Sequence, residues 1–555
     1  MQTDSDTAQD KKKLCELVNK AELGFKEYLG FFTNYFMAFQ ALQDEKVVKY
    51  LDSKNKSNIP FYYIANKIQR VKADFIEAYF TNKQFAKINE KPSLKGSYFN
   101  PVTGSYVPFS RMDYSQMGHE AIKALQTAVD YYTVDDDECD LFMELSKIFD
   151  NLFIYGTAPC KVYWNNGIKL EAIEIKDIYY DPNGSSAKDN KYCVHIIYLT
   201  VEEIEELIEQ GVFEQIDMDK VAPDRESEPY KRIELQEIYE KKGEITYVST
   251  MFNKDVILRR GVEVAIDPIT TGIIKTQKID PNGDDAAVRT YGDAIIAPLI
   301  PLQREMTVLR NQQLDIVDRQ LNPRYITNDN MLNPFDFTNQ KQTVIRGNPD
   351  KLKELQTPNM KDSVFNVDRL SVEGQEAIGV TDYNSGNSSN KQLNNTATGI
   401  SILTSESNKI LSHYIRCCNE TLIKPLFKKI VELVWLYGDA KFFYGIDRTQ
   451  KLEYSIGVDV GLGATNKEQH FNSKNIAHQG MMQFATLMQD PARIQKAEKF
   501  YYKEILPLLG IENYEEYYNE QDEIQPGTIT ENQNMGVPTG LPGGQEAGPI
   551  GPGNF

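Results

Sequence analysis

Residues 292–323 read GDAIIAPLIPLQREMTVLRNQQLDIVDRQLNP, and residues 394–439 read NNTATGISILTSESNKILSHYIRCCNETLIKPLFKKIVELVWLYGD. In the first stretch Ile295, Leu299, Leu302, Met306, Leu309 and Ile316 recur at steps of three and four with one position missed, and Gln313 interrupts the stripe. That period predicts an amphipathic helix. Pro298 and Pro301 suit its opening turns, and Asn322-Pro323 stops it. Arg304, Arg310, Asp315, Asp318 and Arg319 occupy the other faces. The second stretch predicts a longer helix that begins over 394–398 and is kinked at Pro425. At about 1.5 Å per residue, such helices extend roughly 40–60 Å. Neither contains an enzyme motif, and long beams without a chemical site indicate architecture.

The text between the beams has three parts. Residues 324–358, RYITNDNMLNPFDFTNQKQTVIRGNPDKLKELQTP, are short apolar pieces punctuated by Asn, Pro and Gly, which predict a small α/β excursion. A second amphipathic helix is expected over 362–378. Residues 383–395, YNSGNSSNKQLNN, form a polar loop that cannot bury itself.

Upstream, the first dozen residues read as a mobile polar tail. Helices follow over 13–51, 64–79, 116–131 and 140–155, so the N-terminal quarter reads as mainly α. The period changes near Ala158. CKVYWNN, LEAIEI and YCVHIIYLT suggest strands, then a short acidic-faced helix over 201–210, then RIELQEIYE, EITYVSTMF, DVILRR and GIIKTQKI. Two DPNG segments, at 181–184 and 280–283, lack the regular acidic positions and distal Glu of an EF-hand loop and read as β-turns. Downstream, 452–469 (LEYSIGVDVGLGATNKEQ) predicts a strand and turn, followed by helices over 468–487, 491–509 and 513–519. Its GLG lacks the third glycine and the βαβ setting of a dinucleotide site. Beyond Glu520, Gly, Pro, Asn and Gln dominate, which signals disorder.

A chain of 555 residues exceeds one simple core. No apolar run reaches the roughly 20 residues that span a bilayer, and the N-terminus lacks a secretion signal. Cys15, Cys139, Cys160, Cys193, Cys417 and Cys418 form no CxxC pair, which suits a reducing compartment. His119, His195, His413, His470 and His478 are isolated and read as packed or surface side chains. No metal or cofactor is expected. The net charge of -19 argues against a conventional basic nucleic-acid binder, but does not exclude a protein past which DNA slides without sticking.

The order of these elements is specific, and it is joined by Gly292-Asp293, the LQRE and NQQLD of the first beam, Thr396-Ala397-Thr398-Gly399-Ile400 and VDVGLGATNKEQ at 458–469, no one of which is diagnostic alone. Together, over 161–514, they resemble the portal proteins of tailed bacteriophages, most like those of short-tailed phages. The resemblance implies an α+β, multi-domain subunit assembled into a ring, usually a dodecamer, at one capsid vertex. Its divisions would be a tail (1–12), a wing (13–290), a first stem helix (291–322), a clip (323–360), a second stem helix (361–380), a tunnel loop (381–396), a long wing helix with a strand (397–467), crown helices (468–520) and a C-terminal tail (521–555). The implied partners are double-stranded DNA in the channel, terminase, head-tail adaptor or tail proteins, and the major capsid and scaffolding proteins, with no membrane. The implied location is the virion, after assembly in the host cytoplasm.

Candidate DNA-channel residues are Asn387, Asn390, Lys391 and Gln392. Lys391 is the only charge in its loop, and its bland alternative is an ordinary solvent lysine. Lys341, Arg346, Lys351 and Lys353 are clip candidates for partner contact, or else a solvated face. Arg304, Arg310 and Arg319 are candidates for inter-subunit ion pairs with Glu305, Asp315 and Asp318. Two other readings stand beside a non-enzymatic DNA-conducting ring: a scaffold or adaptor ring without DNA passage, and a nucleic-acid hydrolase. The hydrolase would need a phosphate loop or clustered carboxylates. No GxxxxGK[ST] occurs, and the acidic run 135–138 has no partner motif.

Overall fold

The computed structural model describes residues 4–80, 87–90, 97–100, 105–108, 112–135, 139–184, 186–223, 228, 230–276, 290–321, 325–328, 348–354, 361–378, 410–444, 446, 448, 454–457, 467–488 and 490–506. They fall into two units, Met1–Leu462 and Gly463–Phe555.

The first unit opens with α1 (Asp4–Phe39), α2 (Glu45–Ser53) and α3 (Tyr63–Phe80). Residues 4–12, expected as a tail, are helical. Charge rather than apolar burial holds this end: Lys11 pairs with Asp255, and Lys13 Nζ lies 2.6 Å from Glu240 Oε1. The single helix expected over 13–51 is broken at 40–44, where Ala41 takes a left-handed φ of 53° and the Asp44 carboxylate accepts from Lys46 N to start α2. Next come β1 (Lys87–Glu90), β2 (Ser97–Asn100), β3 (Ser105–Pro108), α4 (Met112–Asp130) and α5 (Leu141–Tyr155). The β2–β3 hairpin is absent from the sequence expectation of a mainly α quarter. Its signal was SYFN-PVTG-SYVP, two short aromatic runs around a Pro/Gly turn.

The β-rich part contains β4 (Thr157–Trp164), β5 (Ile168–Ala172), β6 (Ile178–Tyr180), β7 (Tyr192–Thr200), α6 (Val201–Glu209), β8 (Arg232–Lys242), β9 (Ile245–Phe252), β10 (Val256–Val264) and β11 (Ile269–Ile273). β7 occupies the residues read as YCVHIIYLT, and its first five are buried because both faces are covered. The strands form a five-stranded antiparallel sheet, β10-β9-β8-β7-β6, and a three-stranded one, β11-β4-β5. α1 lies on the larger sheet, packing Leu14, Val18 and Ala21 against Val194, Ile196, Ile238 and Met251. Further along α1, Phe25, Tyr28 and Phe32 close around Tyr180 and Tyr291. The first DPNG is a turn: Gly184 N donates to Asp181 O, and the Asp181 carboxylate accepts from Asn183 N at 3.0 Å, so the protein itself occupies that oxygen. The second DPNG lies outside the described residues.

A buried charged centre ties the two sheets together. Glu237 on β8 meets Lys161 of β4 at 2.8 Å, Arg259 of β10 at 2.9 Å and the Tyr239 hydroxyl at 2.8 Å. His195 Nδ1 stands 3.6 Å away. Burial alone would raise the Glu237 pKa, but Lys161, His195 and Arg259 outweigh it and hold the carboxyl well below its usual range.

The chain then crosses toward the first beam. Gly156 ends α5 at φ 74°, and a Cβ on Gly292 would stand 2.5 Å from the Gly156 carbonyl oxygen. Glycine at this crossing lets two backbones touch. α7 (Leu299–Leu321), β12 (Tyr325–Thr327), β13 (Leu352–Glu354) and α8 (Lys361–Ile378) follow. Helix resumes at 410, passes through a π turn at Asn419–Ile423, and continues as α9 (Lys424–Tyr437). Pro425 removes one amide hydrogen and crowds the carbonyl four residues earlier. The distortion expected there takes the form of a widened turn, in which Lys424 N donates to Asn419 O. α9 packs Leu426, Phe427, Ile430 and Val434 into the same core as α3, α4 and α5. Finally β14 (Tyr454–Gly457) pairs antiparallel with β1.

The second unit contains α10 (Lys467–Leu487) and α11 (Pro491–Phe500), with a π turn at Tyr501–Ile505. α10 and α11 pack on each other, and the His478 and Tyr501 rings lie 5.0 Å apart. The chain is thus mixed helix and sheet, α+β. The VGLG turn and residues 507–555 lie outside the described residues.

Candidate functional site

α7 forms where the apolar period placed it, and buries Leu299, Ile300 and Met306. Its opening prolines sit at or before the first turn, where no intrahelical donor is needed. The same helix carries a second, polar stripe at every fourth residue: Gln303, Thr307, Asn311 and Asp315. Each bonds the backbone of one segment, 57–64, which is extended over 57–62 and enters α3 at Tyr63. Asp315 Oδ1 accepts from Ser57 N at 2.8 Å, Asn311 Oδ1 from Ile59 N at 2.8 Å, Thr307 Oγ1 from Phe61 N at 3.3 Å, and Gln303 Oε1 from Ile64 N at 2.7 Å. Asn311 Nδ2 donates to Ile59 O at 3.1 Å, and Gln303 Nε2 donates to Ala38 O at 2.7 Å.

The spacing has a metric basis. Four helical residues advance about 6 Å, and two extended residues about 6.6 Å. From Ser57 to Phe61 every second strap residue therefore meets every fourth helix residue, and the next rung, Gln303, falls on Ile64 in the first turn of α3. Pro60 keeps the strap extended and lacks the N–H that would point away from the helix.

The strap also reaches the second helix. The Tyr63 hydroxyl donates to Ser371 O of α8 at 2.8 Å. Gly374 lies so near that a Cβ there would stand 2.2 Å from that hydroxyl. α7 and α8 pack on each other. β12, just after α7, pairs antiparallel with β13, shortly before α8: Tyr325 faces Glu354 and Thr327 faces Leu352. The two helices are thus joined at one end by a strand pair, and the strap bonds α7 at four rungs and reaches α8 at Tyr63.

The six stem candidates divide. Arg304 Nη2 donates to Asn34 Oδ1 at 2.7 Å, the Arg310 guanidinium lies 5.6 Å from the Phe61 ring centre, and Asp315 holds the strap. These three have partners within the chain. Glu305, Asp318 and Arg319 are exposed, and Asp318 also has an interaction within the chain. In the clip, Lys351 and Lys353 are exposed beside the strand pair, whereas Lys341 and Arg346 lie outside the described residues. So do Asn387, Asn390, Lys391 and Gln392. Sequence reasoning missed the strap residues on α7. The signal was present as four polar side chains at a constant step of four, masked by the charges interleaved with them.

The chain can also be compared with known proteins. Residues 286–537 match the family model described as Phage SU10 portal protein. The match contains α7, the β12–β13 pair, α8, α9 and the helices of the second unit, so the resemblance drawn from the sequence is borne out over this part of the chain. No curated protein matches. Among solved structures, a chain in the neck of an empty GTA particle computed with C6 symmetry is similar at 10% identity, covering 73% of this chain and 85% of that chain, with a TM-score of 0.31.

Proposed function

We propose that this chain, portal-like over residues 286–537, is a subunit of a ring at one capsid vertex through which double-stranded DNA passes during packaging and ejection. The observation that carries the reading is the family match across both stem helices. The stem geometry supports it: two packed helices, closed at one end by a strand pair and stiffened by a hydrogen-bonded strap, make a rod suited to standing beside copies of itself. A ring of such rods uses heterologous contacts that close by rotation.

In this reading β12 and β13, with Lys341, Arg346, Lys351 and Lys353, belong to the clip that meets terminase and later an adaptor or tail protein. The loop 383–395 lines the bore, where Asn387, Asn390, Lys391 and Gln392 touch DNA weakly. Glu305 and Arg319, both exposed, are stem candidates for contact with a neighbouring subunit. α10 and α11 form the crown.

Electron microscopy and native mass measurement of the purified protein test this. A closed ring, with a dodecamer as the expected size and a bore wide enough for a duplex, is the expected result. A monomer across protein and salt concentrations overturns the reading. A closed ring whose bore excludes a duplex leaves a scaffold or adaptor ring instead.

A further inference from the structure

A groove with an excess of one positive charge is formed by β-rich segments upstream of the family match together with α9 inside it. It runs between the β8–β9 turn, the segment joining β10 to β11, and α9, and encloses about 670 Å³ of accessible space. Lys188, Lys241, Lys424, Lys428 and Lys429 line it, with the carboxylates Glu244, Asp267, Glu420 and Glu432 among them. At its floor two ammonium groups share one carboxylate oxygen: Lys241 Nζ lies 2.9 Å and Lys429 Nζ 3.6 Å from Asp267 Oδ2. Lys429 is mostly buried and also donates to Ile269 O at 2.5 Å. Burial, opposed by Asp267, pulls its pKa down, which shows the cost of holding that second positive charge there. At the rim Lys424 pairs with Glu420, and Lys428 lies 3.9 Å from Glu432, but both are exposed i,i+4 pairs of small worth. The floor therefore favours an incoming carboxylate.

A surface of matching sign lies at the opposite end of the same sheet. β7 starts beside the groove and ends about 30 Å away at Thr200, whose side chain caps α6 in a capping box with Glu203. α6 reads VEEIEELIE and has no basic residue. Glu202, Glu205, Glu206 and Glu209 are exposed. Glu202 and Glu206, and Glu205 and Glu209, are like-charged i,i+4 neighbours, and the last two lie at the end of the helix that favours cations. Among the described residues none of these four forms an ion pair.

We propose that the lysine groove receives α6 of a second copy of this chain. This rests on the ring reading and deepens it. The two faces are different and lie at opposite ends of one sheet, as a head-to-tail contact that closes into a ring requires. Their charges are complementary, whereas a chain carrying a net charge of -19 offers few cationic surfaces.

The test uses the full chain and two pairs of charge reversals, Glu205→Lys with Glu209→Lys and Lys188→Glu with Lys424→Glu, all at exposed or half-exposed positions. Assembly is read by native mass spectrometry and electron microscopy, and folding by thermal melting. The expected result is loss of the ring in each double reversal and its return when all four substitutions are combined. If the wild type forms rings and both reversals do so equally well, the groove contact is wrong and the ring reading survives. If the four-fold variant fails to recover, the losses do not come from this pair and the proposal is overturned. If the wild type itself forms no ring, the ring reading falls and takes this contact with it.

Discussion

Replacing Asn311 with Ala tests how the first stem helix is stiffened. Five hydrogen bonds join α7 to the strap backbone, at Ser57 N, Ile59 N, Ile59 O, Phe61 N and Ile64 N. At about 1 kcal/mol net each they contribute roughly 5 kcal/mol. Ordering residues 57–64 costs about 1–2 kcal/mol per residue, or roughly 8–16 kcal/mol. The bonds alone do not hold the strap, and burial of Tyr63 and Ile64 adds to them. The margin is therefore small, and a loss at one rung releases the strap locally before the unit unfolds. Asn311→Ala removes both bonds to Ile59, about 2 kcal/mol, which corresponds to roughly 30-fold in an opening equilibrium. Hydrogen exchange over 57–64 should speed up by about that factor, while amides of β8 keep their wild-type rates. Exchange over 57–64 within about three-fold of wild type would refute the strap as a cooperative element. Equal acceleration in β8 would show instead that the substitution loosens the whole unit.

Glu237→Gln leaves Lys161 and Arg259 buried without their counter-charge and should cost about 3–5 kcal/mol in chemical or thermal denaturation; a loss below about 1 kcal/mol would contradict the reading of that centre. Because the folded Glu237 carboxyl lies well below its unfolded value of about 4.3, its contribution is present above that pH and is lost as pH falls toward the folded value. Wild type should lose more stability than Glu237→Gln on acidification below about pH 4, and parallel acid titrations of the two would exclude this. Gly374→Ala forces a methyl into the Tyr63 ring and should destabilise by about 1–3 kcal/mol, with partial recovery in the double variant carrying Tyr63→Phe; no recovery would place the clash elsewhere. Lys391→Ala should reduce photocrosslinking of the ring to duplex DNA in its bore, and unchanged crosslinking would remove this lysine from the DNA path.

The sequence was legible where one period served one purpose. β7 alternates between two packed faces, α8 carries a single apolar face, and both fall close to their expected bounds. α7 was harder because it carries two stripes, one apolar for the core and one polar for the strap, and the polar one looks like ordinary surface in one dimension. The strap itself, SNIPFYY, has neither helical nor strand period because its partner is a helix flank. α1 extended further than read because Lys11 and Lys13 find their partners more than two hundred residues away, at Asp255 and Glu240. The charged centre at Glu237 was invisible for the same reason: Lys161, His195 and Arg259 reach it from three different strands. For Arg304, Arg310 and Asp315 the residue types did not reveal the partners each has within the chain.

Because two strap residues keep pace with four helix residues over the rungs at Ser57, Ile59 and Phe61, the length of this stem is graduated. Adding one or two residues to α7 would turn its polar stripe away from the strap and break every later rung. Adding four to α7 and two to the strap would leave all rungs aligned. A stem built this way can be lengthened only in steps of about 6 Å, so relatives with taller or shorter stems should differ by whole rungs, with the strap and helix changing together.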